Sequence, residues 1–165
     1  MLEDLDSGAN RSSGPSGSIG DLSRKLTEIY QKIKKNYNMV PYPVQCLTVL
    51  RLADEILHSK GSISEVKTGE GKTFIISALA ILLAQYGKKL DVITSTTELA
   101  KRDQQEQKKY YDLFGITSGV LYNKQGDKDF FDTQLVEKET DVSKHFNVEV
   151  FNCQVVYSTN ANLEF

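Results

Sequence analysis

Apolar positions return along this chain in two rhythms. Leu22, Leu26, Ile29 and Ile33 recur at three- and four-residue steps with lysines between them, and Asp21-Leu22-Ser23 opens the run. That spacing predicts an amphipathic helix within 21–39, brought to a stop by residues 36–43. A second helix is predicted over about 43–58, carrying Val44, Leu47, Leu50, Leu52, Ile56 and Leu57 and ending near Gly61. From there the pattern shortens. Residues 63–66 read as a strand, 68–72 as a glycine-rich turn, and 74–86 as a helix so apolar that it must be buried on several sides. Residues 90–94, 116–122 and 153–158 read as further strands, and 96–114 as a long polar helix whose contact face holds Leu99, Tyr110, Leu113 and Phe114. Strands alternating with helices of this length predict an α/β fold, with a right-handed parallel sheet covered by helices on both faces. Residues 1–20, rich in Gly, Ser and acidic side chains, are expected to stay disordered as a linker or tail, since they bury too little to offset their ordering entropy. Residues 123–152 read as a polar insertion with a short helix near 130–136. No internal repeat is visible.

Composition narrows the class. A chain of 165 residues supports one sizeable core but not two. Hydrophobic residues at 39% and charged residues at 25% are ordinary globular usage. The net charge of −2 gives no global basic field, which argues against nucleic acid as a partner. Cys46 and Cys153 are too far apart for a metal motif and read as reduced core thiols of a reducing compartment. The first twenty residues contain no apolar signal-peptide core, so the sequon at 10–12 carries no weight and the expected location is cytoplasmic. The longest apolar run, 78–84, is far short of the roughly 20 residues that span a bilayer.

Chemistry concentrates at Val66-Lys67-Thr68-Gly69-Glu70-Gly71-Lys72-Thr73, between the predicted strand and the apolar helix. This is a P-loop pattern. Gly69 and Gly71 allow a tight turn in which successive N–H groups point at phosphate oxygens, and the helix that follows adds its positive N-terminal dipole. Lys72 is placed to reach the β and γ phosphates and Thr73 to offer its hydroxyl to Mg²⁺. Thr68, Gly69, Glu70, Gly71, Lys72 and Thr73 are therefore candidate nucleotide-binding residues. Val66 stands where the longer P-loop string has its first glycine, a substitution typical of helicase-type motors, and the fold this implies is a RecA-like P-loop NTPase lobe.

Pro41-Tyr42-Pro43-Val44-Gln45 lies ahead of the loop. The amide of Gln45 donates and accepts at once, as adenine recognition requires, and Tyr42 offers a ring for the purine face. A proline-stiffened helix start with a surface glutamine is the plainer reading of the same residues. In Ser95-Thr96-Thr97-Glu98-Leu99-Ala100-Lys101-Arg102-Asp103 a strand gives way to a helix, capped by Thr96 or Thr97. Lys101 and Arg102 are candidates for contact with a polymer substrate or a second lobe, against the alternative of a solvated helix face. Asp127, Asp129 and Asp132 lack the spacing of a calcium loop, and His58 and His145 are isolated, so none is assigned to a metal or a base.

Pro41 through Gln45, the Thr-Gly-Glu-Gly-Lys-Thr string at 68–73, Leu99-Ala100-Lys101-Arg102-Asp103 and Val156-Tyr157-Ser158-Thr159-Asn160 together resemble SecA, the ATPase motor of preprotein translocation. The resemblance covers about residues 40–165. It implies the first part of the first nucleotide-binding lobe of a DEAD-like motor, with ATP or ADP and Mg²⁺ as cofactors. It further implies unfolded polypeptide and a membrane translocon as partners of the parent protein, which would work peripherally at a membrane. The chain departs from the family where Cys46 to Leu50 replace a glycine pair and where Asn160-Ala161-Asn162-Leu163-Glu164-Phe165 replaces Asn-Asn-Glu-Phe.

No Asp-Glu pair of the Walker B type occurs after a strand within the 165 residues, so no catalytic residue is assigned and nucleotide binding without turnover is expected. Two other readings compete. A DEAD-box-type RNA helicase lobe shares the Pro-Tyr-Pro-Val-Gln and Thr-Glu-Leu-Ala strings, but it places an arginine where Thr97 stands. A non-catalytic nucleotide-binding interaction module would keep the fold without turnover.

Overall fold

The computed structural model describes residues 17–122 and 147–163. The predicted helix at 130–136, the Asp127–Asp132 cluster, His145 and residues 1–16 lie outside the described residues. Among the described residues, five helices and three strands follow in chain order: α1 (Ile19–Tyr37), α2 (Pro43–Leu57), α3 (Lys72–Ala84), β1 (Leu90–Thr94), α4 (Thr97–Leu113), β2 (Ser118–Val120), β3 (Val155–Thr159) and α5 (Asn160–Leu163), with a 3-10 turn at Val148–Asn152 before β3.

The sheet is parallel, in the order β1-β3-β2, with Leu90 and Ser118 both level with Val155. As the central strand, β3 is buried at all five positions. Its alternate side chains meet two different environments. Val155 and Tyr157 join the main core with Tyr111 of α4, whereas Val156 packs with Leu121 and Val150 in a small second cluster. Gly119 of β2 lies so close to Val150 that an added Cβ would fall 2.2 Å from its Cγ2. Part of the stretch expected to be an irregular insertion is thereby built into the core as the 3-10 turn.

The main core is the space between α3 and its neighbours. Phe74, Ile75, Ala78, Ala80, Ile81, Leu82 and Leu83 of α3 are buried, as an apolar helix requires. Leu22, Leu26, Ile29, Tyr30 and Ile33 of α1 and Val49 and Ala53 of α2 close around them. Phe74 stacks on Tyr30 and meets Tyr110 of α4 edge-on, at centroid separations of 5.9 and 5.7 Å. Polar ties thread this apolar interior, each satisfying a group that burial would otherwise penalise. The Ser77 hydroxyl donates to Gln107 Oε1 at 2.9 Å, the Tyr111 and Tyr157 hydroxyls pair at 2.8 Å, and Gln104 donates to Ser118 Oγ at 2.9 Å.

Two local expectations change. The first helix opens at Ile19, two residues early, because the Ser18 hydroxyl accepts the Asp21 N–H and caps it. Residues 63–66 do not form a strand. A strand exists only where a neighbour accepts its ladder, and the three strands among the described residues pair solely with one another. Ile63 is fully exposed. No helix among the described residues is long and apolar enough to cross a membrane.

At the far end of α3, Tyr86 donates to Asp21 Oδ2, Arg24 bonds the same carboxylate at 2.6 Å, and Lys25 lies 3.7 Å from the Tyr86 ring centroid. Tyr86 and Arg24 hold the Asp21 carboxyl below its ordinary value of 3.8, while burial and that carboxylate push Tyr86 up to about 12. Because Asp21 titrates lower folded than unfolded, the contact adds stability above its ordinary value and loses it as pH falls through the folded one. Thermal melts of wild type and Asp21→Asn at about pH 5 and about pH 2 should show the larger loss on acidification in wild type. Equal losses would mean that the contact contributes no pH-dependent stability.

Candidate functional site

The turn at 67–71 works against ordinary backbone preference. Gly69 and Gly71 have φ of +86° and +76°, the left-handed region in which a Cβ is strained. Gly71 is the N-cap of α3 and supplies no side chain to cap it. Its carbonyl accepts the N–H groups of Phe74 and Ile75 at 3.0 and 3.1 Å. Among the described residues, the N–H groups of Gly69, Gly71, Lys72 and Thr73 donate to no backbone carbonyl. They form a cluster of donors at the positive end of a 13-residue helix. Lys72 is exposed at the first helical position and Thr73 half-buried at the second.

α2 holds this turn from one side. Gln45, only 6% exposed, donates from Nε2 to the Glu70 carbonyl at 2.8 Å and accepts the Tyr42 N–H on Oε1 at 2.9 Å. One amide hydrogen and one oxygen lone pair of Gln45 remain for another partner. Tyr42, at the N-cap of α2, is 69% exposed and presents its ring to solvent. A Cβ on Gly71 would sit 2.6 Å from Gln45 Nε2, so that glycine serves close approach as well as φ; nothing lies within 4 Å of a Cβ on Gly69.

The structure thus brings Tyr42, Gln45 and residues 68–73 together. Lys101 and Arg102 stand apart. Phe74 and Ser77, at the start of α3, meet Tyr110 and Gln107 toward the end of α4, whereas Lys101 and Arg102 lie two turns nearer its beginning. Lys101 Nζ lies 4.7 Å from the Tyr122 ring centroid, and Arg102 is held by Asp103 at 2.7 Å. Thr96 caps α4 by accepting the Leu99 N–H at 3.2 Å.

Spacing alone leaves two site features hidden. One is the Ser77–Gln107 bond between α3 and α4, whose signal is a single serine within an apolar helix. The other is the Glu70 carboxylate, which accepts the Lys67 N–H at 3.1 Å; nothing in the pattern announces it. Cys46, beside Gln45, and Cys153 are free thiols, and burial pushes the Cys46 thiol up, away from its reactive form. Among the described residues no three metal-ligating side chains cluster, and His58 Nδ1 is taken up locally by Asp54.

The family model for the SecA DEAD-like domain matches residues 14–165. The chain belongs to that family. It is 36% identical over 132 residues to the protein translocase subunit SecA of Ehrlichia ruminantium (strain Welgevonden), covering 80% of this chain and 12% of the relative. Against the SecA subunit of Clostridium novyi (strain NT) the identity is 36% over 110 residues, 67% of this chain and 11% of that one. Against that of Pelagibacter ubique (strain HTCC1062) it is 30% over 161 residues, 88% and 17%. The chain spans less than a fifth of the length of these relatives. The α/β fold with a parallel sheet agrees with a SecA DEAD-like lobe.

The donor set of this turn fits a phosphate chain: N–H groups that no backbone carbonyl accepts among the described residues, a helix N-terminus, and the side chains of Lys72 and Thr73. The two glycines should not tolerate substitution equally. Gly69→Ala should lower the unfolding free energy by about 1–2 kcal/mol through φ strain alone. Gly71→Ala should cost about 2–4 kcal/mol, because the methyl also meets Gln45. Adding Gln45→Ala to Gly71→Ala should recover part of that difference. Urea unfolding of the four proteins measures this, and equal costs at both glycines would contradict the packing role.

Proposed function

We propose that this chain binds ATP and ADP with Mg²⁺ and is the nucleotide-binding part of a SecA-like protein translocation motor. The observation that carries the reading is the cluster of N–H donors at Gly69, Gly71, Lys72 and Thr73, tied through Glu70 to Gln45. Thr68–Thr73 would hold the phosphates, with Lys72 against the terminal ones and the Thr73 hydroxyl on the metal. The donor and acceptor left on Gln45 match the mixed edge of adenine, and the exposed Tyr42 ring is available to its face. When bound, the metal neutralises phosphate charge; the chain's own residues position the phosphates and exclude other geometries. The names of the relatives, protein translocase subunits, support protein translocation as the parent protein's task; unfolded polypeptide and a membrane translocon are its proposed partners. Lys101 and Arg102 are the proposed contacts to substrate or to a second lobe. Turnover by these 165 residues is not proposed, since the sequence offers no Asp-Glu pair of the Walker B type after a strand to anchor the metal and orient the attacking water.

Calorimetric titration with a non-hydrolysable ATP analogue and magnesium tests the site. Lys72→Ala should weaken binding about 10- to 100-fold. Gln45→Ala and Tyr42→Ala should weaken the adenine nucleotide while leaving tripolyphosphate little changed. Lys72→Ala binding as well as wild type would refute the phosphate assignment, and magnesium-dependent hydrolysis by wild type that Lys72→Ala abolishes would refute the absence of turnover.

A further inference from the structure

Glu70 sits between the two left-handed glycines and has all three of its polar groups committed. Its N–H donates to the Lys67 carbonyl at 3.3 Å, its carbonyl accepts Gln45 Nε2 at 2.8 Å, and its carboxylate accepts the Lys67 N–H at 3.1 Å. The side chain therefore curls back over its own turn. Among the described residues it forms no ion pair with any lysine or arginine. A turn rich in unpartnered N–H donors thus already contains one anion, and that anion occupies the first donor of the turn.

We propose that the Glu70 carboxylate is an internal counter-anion of the phosphate loop, which lowers its affinity for bare phosphate chains and makes tight binding depend on magnesium. The proposal rests on the nucleotide reading above. A phosphate oxygen that takes the Lys67 N–H has to displace the carboxylate, and a phosphate elsewhere in the turn stays within a few ångströms of a like charge. Such repulsion is moderate at an exposed site and is screened by salt. Magnesium cancels two phosphate charges, so a metal-loaded nucleotide meets less of it. Glu70 then acts as a discriminator: the loop accepts the metal-bound nucleotide and resists the free polyanion.

The test compares wild type, Glu70→Gln, Glu70→Ala, Glu65→Gln and Lys72→Ala in titrations with ADP, with and without magnesium, at low and high salt. Glu70→Gln and Glu70→Ala should bind metal-free ADP roughly tenfold tighter than wild type at low salt. They should gain less on adding magnesium, and the gap should close at about 1 M salt. Glu65→Gln, an equal change of charge outside the turn, should shift affinity less than about twofold. Unchanged or weaker ADP binding by both Glu70 variants, or an equal gain in Glu65→Gln, overturns the proposal while leaving the nucleotide site intact, provided wild type binds and Lys72→Ala does not. Failure of wild type and both Glu70 variants to bind any ADP overturns the site and the counter-anion together.

Discussion

α3 has to satisfy two opposed demands. Its body is apolar on every side and gains stability only by being enclosed, which α1, α2 and α4 accomplish. Its first turn, by contrast, opens on N–H groups that no backbone carbonyl accepts among the described residues. Burial of those donors would be costly, so the helix has to surface at its N-terminus. The two glycines make that emergence abrupt. The same helix that organises the core therefore delivers a cluster of donors to the protein surface.

The loop is fixed from outside by α2 as much as from within. Gln45 spends half its hydrogen-bonding capacity on Tyr42 and Glu70, and so ties the start of α2 to the crest of the turn. In the proposed nucleotide site, that link would let the base end and the phosphate end depend on each other. Gly71 permits this by leaving the space that the Gln45 amide fills. On the far side of α3, Ser77 extends the connection to Gln107 and so to α4. The Ser77–Gln107, Tyr111–Tyr157 and Gln104–Ser118 bonds each lie at a junction between two elements, where they help specify which element meets which.

The two faces of the sheet are served differently. Tyr157 and Val155 look toward the main core, whereas Val156 depends on the 3-10 turn, through Val150 and the missing side chain of Gly119. On β1 the alternation is plain: Leu90 and Val92 pack against the main core, and Asp91 and Ile93 are exposed. SecA-type relatives are several times longer than this chain.

The sequence alone determined what depends on short-range geometry. The spacing of Leu22, Leu26, Ile29 and Ile33 specifies a helix face, and the apolar run beginning at Phe74 specifies a buried helix. Glycines beside Lys72 and Thr73 specify a turn with inward N–H groups, because only local φ and period are involved. The strands from Leu90 and around Tyr157 were legible for the same reason. Tertiary structure decided every question of partnership. Residues 63–66 have the composition of a strand but, among the described residues, no neighbour to complete the ladder. Ser77 found Gln107, Gln45 turned its amide to Glu70, and Lys101 and Arg102 settled on Tyr122 and Asp103 two turns from the residues that meet the start of α3. A hydrogen bond or a strand pair is a property of two segments at once, and one segment's sequence does not say what stands across from it.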